Sequence, residues 1–280
     1  MKEIRILNLG AGVQSTALAL MAEVGEIEKY DYAIFADVQA EPKSVYSHLE
    51  WLIKQLSYPV LVRTRGNLIE NLKNGINNDG QRFCSIPSFT GSYGQLLGIT
   101  RRQCTSEFKI NVVDTVIRRE ILNLPKYGRI PKDILITQVF GLSFDEQRRV
   151  LKVRASHGHK ENWVVSFPLF DLEMTRADCV KWLESYGMPH ITPRSACTFC
   201  PYHSDSEWLR MKKEDPESFQ QAVEVDRLLR DPNSRCNQGM NQQLWLHKAC
   251  KPLDEVHFGK DLPNQSLFGF SSECEGMCGV

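Results

Sequence analysis

The chain has 280 residues; 34 Lys and Arg balance 34 Asp and Glu, with 42% hydrophobic and 24% charged residues. That length buries a sizeable core as one large domain or two small ones, and the composition excludes a mostly disordered polypeptide. No apolar run approaches the ~18 residues of a membrane helix, and the start Met1-Lys2-Glu3-Ile4-Arg5 lacks the long apolar region of a secretory signal, so a cytoplasmic protein without membrane attachment is expected.

Strands and helices alternate along the first two thirds. Ile4–Leu9 reads as a strand and a helix begins near Ser15. Tyr32–Phe35 is the next strand, ending at Ala36-Asp37. Pro42–Leu56 reads as a helix, with Val45, Leu49, Leu52, Ile53 and Leu56 at helical spacing. Val60–Val62, Ile134–Phe140 and Val164–Phe167 are further strands; Ile110–Leu122 and Phe144–Val153 are further helices. Thr175–Tyr186 is a helix capped by Thr175 and stopped by Gly187 and Pro189. The alternation predicts an α/β fold, a parallel sheet with helices on both faces. Residues 67–103, rich in Gly, Asn, Ser and Pro, read as a long functional loop. Beyond a boundary near residue 190 the chain reads as a small cysteine-rich region of helix and loop, with a polar helix over Asp205–Arg230 interrupted near Pro216. The expected units are therefore 1–190 and 191–280.

Three features carry chemistry. The first is Gly10-Ala11-Gly12-Val13-Gln14-Ser15-Thr16, a glycine turn between strand and helix. Glycines let backbone approach a ligand, and the unpaired N–H groups of a helix start favour phosphate, with the Ser15 and Thr16 hydroxyls as added donors. It matches neither a Walker A loop nor a dinucleotide fingerprint. The second is a basic stretch, with 13 Lys or Arg against 6 Asp or Glu from Arg101 to Lys160, which suits a polyanion. The third is the cysteines: six of nine (Cys197, Cys200, Cys236, Cys250, Cys274, Cys278) lie in the last 84 residues. In a reducing compartment such clustering points to metal or redox chemistry rather than disulfides. Cys197-x-x-Cys200 supplies half of a four-thiolate site. Cys84, Cys179, Cys236 and Cys250 read as structural; His247 and His257 read as surface or capping histidines.

The glycine turn resembles the Ser-Gly-Gly-x-Asp-Ser loop of the PP-loop ATP pyrophosphatases, with Gly10 in place of the first serine and Gln14 in place of the aspartate. Four further blocks follow in order. Phe35-Ala36-Asp37-Val38-Gln39-Ala40-Glu41-Pro42 is similar to the Asp-Thr-Gly…Pro-Glu-Thr block of the phosphoadenosine-phosphosulfate (PAPS) reductase branch. Arg101-Arg102-Gln103-Cys104-Thr105-x-x-Phe108-Lys109 is similar to its Cys-Thr-x-x-Leu-Lys block. Gly141-Leu142-Ser143-x-Asp145-Glu146-x-Arg148-Arg149 resembles its Gly-x-Arg-x-x-Glu-Ser-x-x-Arg block. Phe167-Pro168-Leu169 resembles its Pro-Leu segment.

The resemblance implies a Rossmann-like fold of the adenine nucleotide alpha hydrolase type. It implies an ATP pyrophosphatase that transfers AMP to a substrate oxygen so that sulfur can displace it, similar to the sulfur-inserting enzymes of DNA phosphorothioation. It implies ATP contacts from Gly10, Ala11, Gly12, Val13, Gln14, Ser15, Thr16, Asp37 and Arg102, with Arg101 reaching a second phosphate. Lys109, Arg148 and Arg149 would stabilise phosphate charge. Asp145 and Glu146 would hold Mg²⁺ or orient the arginines. Cys104, Cys197, Cys200 and Cys274 would hold a [4Fe–4S] cluster, with zinc as the alternative and Cys278 able to replace Cys274 or carry sulfur. Expected partners are DNA or tRNA and a sulfur donor such as a cysteine desulfurase. Alternatives at this stage are a PAPS or adenylyl-sulfate reductase, a tRNA thiolation enzyme and a non-catalytic nucleotide-binding subunit. Simpler readings also stand: Lys109 as the partner of Glu107, Arg148 and Arg149 as helix-surface partners of Asp145, and Asp37 as a turn residue.

Overall fold

A computed structural model describes residues 1–76, 80, 86–157, 161–237 and 240–258. Five parallel strands form its main sheet: β1 (Lys2–Asn8), β2 (Tyr32–Asp37), β3 (Val60–Thr64), β6 (Ile134–Phe140) and β7 (Trp163–Ser166), in the order β3-β2-β1-β6-β7. Parallel neighbours need long crossovers, which here are helical. They are α1 (Val13–Glu23), α2 (Lys43–Gln55) and α6 (Gln147–His157), together with a long helical stretch over 103–121. Successive side chains of a strand face opposite ways. In register, Leu7 lies beside Ala33 and Val139, and this row joins the core under α1, α2 and α8 (Arg176–Tyr186). Ile4 lies beside Ile136, and Ile136 beside Trp163; this row packs on Val112, Val113, Val116 and Ile117. Both faces are thus covered, which is why α1 is buried from Val13 to Ala22 and apolar on every side from Ala17 to Ala22.

The stretch over 103–121 changes winding along its length. Gln103–Thr105 (α4) and Asn111–Val116 (α5) are α-helical, whereas Ser106–Ile110 and Ile117–Ile121 are π-helical. Phe144–Glu146 forms a 3₁₀ turn ahead of α6, so the helix expected from Phe144 begins in earnest at Gln147. Pro168–Asp171 is a single turn, α7. Thr175 caps α8, accepting the Asp178 amide, and Gly187 ends it in the left-handed conformation (φ 83°).

Residues 67–103 are not one long loop. Asn67 caps α3 (Leu68–Asn74) by accepting the amides of Ile69 and Glu70. A hairpin follows, β4 (Phe89–Ser92) with β5 (Gln95–Ile99), and β8 (Gln243–Trp245) pairs with β4 to complete a three-stranded antiparallel sheet. Gly94 (φ 73°) makes the hairpin's turn, and Gly91 sits at an irregularity of β4. A Cβ at Gly91 (φ 159°) would lie 1.9 Å from the Gln95 carbonyl oxygen.

Beyond residue 190, α9 (Asp205–Glu214) and α10 (Pro216–Arg230) meet at Asp215, whose side chain caps α10 with Pro216 in the first turn. Phe199, Trp208, Phe219, Val223 and Leu246 share one core with Val38, Leu68, Leu72 and Phe108 from the first part of the chain. Buried Asp226 of α10 accepts the amides of Leu246 (3.1 Å) and Leu253 (3.0 Å) and pins that later segment down. Among the described residues no helix is long and apolar enough to cross a membrane.

Candidate functional site

The strand order reverses direction at β1 and β6, so the crevice beyond their carboxyl ends is the switch point where α/β sheets hold ligands. The glycine turn leaves β1 there and residues 141–149 leave β6 there. Ala11 takes a left-handed φ of 57°, costly for a residue with a Cβ, and carries the chain from strand into α1. Not all of the turn's amides are unpaired, as the pattern alone suggests. Ser15 Oγ accepts the N–H groups of Gly10 (3.2 Å) and Gly12 (3.3 Å) and donates to the Gly12 carbonyl. The reason is burial: Gly10 to Thr16 are all buried, and a buried N–H needs an acceptor. The N–H groups of Val13, Gln14 and Ser15 head the helix and have no intrahelical acceptor.

Gly141 presses against this turn. A Cβ there would meet the Ser15 amide nitrogen at 3.0 Å and its Cα at 3.1 Å. Side chains tie the same two segments. Gln14 Nε2 donates to Glu146 Oε2 (3.2 Å) and Ser143 Oγ (3.3 Å), while Glu146 also accepts the Ser143 amide and pairs with Arg149. The amide of Gln14 thus occupies ground where an aspartate would face a second carboxylate. Its Oε1 is buried without a hydrogen-bond partner, an acceptor left for something to fill. Asp145 accepts the Arg176 amide at the start of α8 (3.3 Å) rather than pairing with an arginine of α6. Arg148 is exposed.

Asp37, at the end of β2, accepts the Gln39 amide and the Tyr46 hydroxyl, each at 2.8 Å. Burial, helped by Asp37, pushes the Tyr46 phenol up and keeps it a donor. On the far side of the turn Thr16 Oγ1 meets His48 Nε2 (2.9 Å), and His48 Nδ1 meets His190 Nε2 (2.8 Å). Burial, then repulsion from His190, pulls His48 down from its ordinary 6.5 to about 4. The unfolded chain therefore binds this proton more readily than the folded one. His48 contributes stability in full above pH 6.5 and loses it down to about pH 4. The loss is about 3 kcal/mol at ~1.4 kcal/mol per unit. Denaturant titrations across that window should show the decline in the wild type and a flatter profile in His48→Gln.

Two cavities meet at Lys109. One, of about 10 Å³, lies over the ends of β1 and β2 against Asn8, Leu9, Gly10, Phe35, Lys109 and Val113. The other, of about 30 Å³, is lined by Cys104, Cys197, Cys200, Arg102, Thr105 and Lys109. The π-helical winding explains how Cys104 and Lys109 reach one cavity. In an α-helix residues five apart point about 140° away from each other, whereas i→i+5 winding brings them to one side. Lys109 is buried and pairs with Glu41 at 3.4 Å, not with Glu107, which instead accepts Gln103.

The Cys197–Cys200 segment is a tight turn closed by the Cys200 amide on the Cys197 carbonyl (2.9 Å). The Thr198 amide bonds to the Ala40 carbonyl (2.9 Å), and His203 Nε2 meets the Cys197 carbonyl (2.9 Å). Arg102 lies 4.0 Å above the Tyr202 ring, on the cysteine side rather than at the glycine turn. Among the described residues no three His, Cys, Asp or Glu side chains are gathered closely enough to hold a metal ion as they stand. Three thiols from two segments around one cavity nevertheless form a donor set of the kind thiophilic metals take.

The fold thus gathers the glycine turn, Gly141–Glu146, Arg149 and Lys109 at the switch point, and Cys104, Cys197, Cys200 and Arg102 next to it. Arg148 stands apart on the surface. Cys84, Cys274 and Cys278 lie outside the described residues. Cys179, Cys236 and Cys250 are buried. His247 is buried rather than at the surface, accepting the Ala249 amide (3.1 Å). Sequence reasoning assigned nothing to Glu41, Ser143, His48 or His190. The replacement of aspartate by Gln14 was the one signal pointing toward the Ser143–Glu146 contact.

No family model matches the chain, and no curated protein matches it. Among solved structures, the U34-tRNA thiolase NcsA from Methanococcus maripaludis with its [4Fe–4S] cluster aligns at a TM-score of 0.36 and 11% identity, over 81% of this chain and 71% of that one. A likeness that distant assigns no activity; the chemistry is argued from the residues above.

Proposed function

We propose that the chain is an ATP pyrophosphatase of the PP-loop type that adenylates a substrate oxygen for sulfur insertion, with the DNA backbone phosphate as acceptor. What carries this reading is the meeting of the Gly10–Thr16 turn, the Gly141–Glu146 segment and Lys109 at the switch point, beside a cavity lined by three cysteines. A phosphate oxygen takes the place of Ser15 Oγ as acceptor for the Gly10 and Gly12 amides, and the Ser15 hydroxyl turns to donate to it. The substrate oxygen attacks the α-phosphorus, the bond to the β-phosphate bridging oxygen breaks, and pyrophosphate leaves. Sulfide (HS⁻) from a sulfur donor then attacks the activated phosphorus; the P–S bond forms as the bond from that phosphorus to the bridging oxygen breaks, and AMP departs with the original oxygen. Lys109 and Arg149 supply cationic stabilisation to the crowded phosphate charge.

Cys104, Cys197 and Cys200, with Cys274 as expected fourth ligand, would hold a [4Fe–4S] cluster, whose iron supplies a site for sulfide when bound; the thiol donor set fits it, and fits zinc equally. The carboxylates expected for Mg²⁺ fit less well. Glu146 is engaged by Gln14, Ser143 and Arg149, and Asp145 by the Arg176 amide, so no step is assigned to Mg²⁺ through them.

Incubation with sodium sulfide and ATP labelled at the α-phosphate, with DNA or with tRNA, tests the reading. AMP, pyrophosphate and a phosphorothioate linkage are expected with DNA. Products only with tRNA move the acceptor to a base. Sulfite released from PAPS makes the protein a reductase, and bound but intact ATP makes it a non-catalytic module. Anaerobically purified protein should contain iron and sulfide in equal amounts; zinc without iron removes the cluster.

A further inference from the structure

The fold divides the basic stretch of the sequence, and the chemistry above uses little of it. Lys109 pairs with Glu41 and Arg149 with Glu146. Arg118 and Arg119 donate to the Gly128 and Leu124 carbonyls, and Arg102 lies on the Tyr202 ring. Lys126, Arg129 and Lys132 precede β6 and so stand at the amino end of the sheet, away from the switch point. Arg148, Lys152 and Arg154 belong to α6, which starts at the switch point directly after the Gly141–Glu146 segment. Between Gln147 and His157 this helix carries four Lys or Arg and no carboxylate. Its buried side is Val150, Val153 and His157, and residues 148, 151, 152 and 155 lie on the other side, all exposed.

We propose that this outer face of α6, with the Phe144–Phe170 ring pair beside its first turn, is a track for single-stranded DNA that leads to the switch point. The choice of DNA rests on the reading of its backbone phosphate as the acceptor. Charge is the first ground. Among the described residues neither Arg148 nor Lys152 has a hydrogen-bond or ion-pair partner, and they stand one helical turn apart on one side. Asp145, three residues before Arg148, accepts the Arg176 amide instead. Arg154 faces Asp171 at 3.9 Å with both side chains at least half exposed, a pair that contributes little in water and yields readily to a phosphate. In a chain whose net charge is zero, a surface for a polyanion has to be local. Apolar exposure is the second ground. Leu151 is 62% and Phe144 38% exposed, in among the cations. The Phe144 and Phe170 ring centres are 5.3 Å apart, and the Arg154 guanidinium lies 5.8 Å from the Phe170 ring. Cations interleaved with open ring and alkyl surface suit a strand with unstacked bases, whose phosphates take the charges and whose base faces take the rings. A duplex keeps its base faces stacked inside and leaves Phe144 and Leu151 unmatched.

Fluorescence anisotropy of the full chain with a labelled single-stranded DNA oligonucleotide, titrated over a range of salt, tests this. Arg148→Ala/Lys152→Ala should weaken binding by about tenfold or more and flatten the log–log salt slope by about 1.4, because a single strand releases about 0.7 counterion per neutralised phosphate. Arg129→Ala/Lys132→Ala removes the same charge at the other end of β6 and should change affinity by less than about twofold. Phe144→Ala should weaken binding by about fivefold with the salt slope unchanged, since stacking releases no counterion. The α6 double variant carries the test even if Phe144→Ala does not fold. No binding of the strand by the wild type, both double variants weakening it equally, or neither doing so overturns the track. A duplex or an RNA strand of the same sequence bound more tightly than single-stranded DNA overturns the choice of occupant. The track and the proposed function fail separately. DNA binding that depends on α6, with no AMP formed from ATP, removes the pyrophosphatase and leaves the track. AMP formed with DNA whose binding ignores α6 removes the track and leaves the pyrophosphatase.

Discussion

Replacing Lys109 by methionine is expected to reduce AMP formation by about a hundredfold or more, the scale of losing one preorganised charge donor, and to destabilise the chain by about 3–5 kcal/mol. Both effects come from burial. Lys109 and Glu41 are 5% and 6% exposed, so their pair is little screened and neither charge can turn to water when the other is removed. Methionine matches the lysine stem in length, so packing is largely kept and the loss is electrostatic. The two effects separate in Lys109→Met/Glu41→Met. Removing both charges leaves no buried carboxylate deprived of the Lys109 ammonium and should restore most of the stability without restoring activity. Denaturant unfolding and product assays on the same preparations decide it. A single variant that turns over ATP within about tenfold of the wild type ends the catalytic assignment of Lys109.

Gly141→Ala should weaken ATP binding by at least about tenfold, with about 1–3 kcal/mol of lost stability from overpacking. The added methyl would touch the Ser15 nitrogen at 3.0 Å, the Ser15 Cα at 3.1 Å and the Gln14 carbonyl carbon at 3.3 Å. All three are backbone, so no side chain can swing aside; either β6 backs away or the first turn of α1 moves. A shift of the turn misaligns the amides that meet phosphate. Gly98→Ala is the control, because its methyl would meet only Thr90 Oγ1, at 3.4 Å, in the small antiparallel sheet. Equal nucleotide affinity in Gly141→Ala and the wild type would show that contact to be unimportant for binding.

Much of the main sheet was legible. Ile134–Phe140 matches its strand end to end, because a buried parallel strand is largely apolar, interrupted here only by Thr137 and Gln138. The Thr175 cap and the Gly187 stop mark α8, since both act through local hydrogen bonds and φ. The hairpin of β4 and β5 was hidden by the glycines that make it possible: the same composition describes a long loop and a tight hairpin. In the site, a glycine pattern announces close backbone approach but not its partner, and apart from the Gln14 amide nothing local to residues 10–16 indicates that Gly141 and Ser143 pack against them.

By itself the order of residues determined the alternation of strand and helix, the glycine turn between β1 and α1, and the paired cysteines at 197 and 200. These depend on periodicity, backbone freedom and spacing within a few residues. Only the tertiary structure decided which cation belongs to which carboxylate. It joined Lys109 to Glu41 across 68 residues instead of to Glu107, two residues away, and set Cys104 beside Cys197 and Cys200. The reason is that burial selects partners by distance in space and removes water as the competing partner, and neither quantity is written in local sequence.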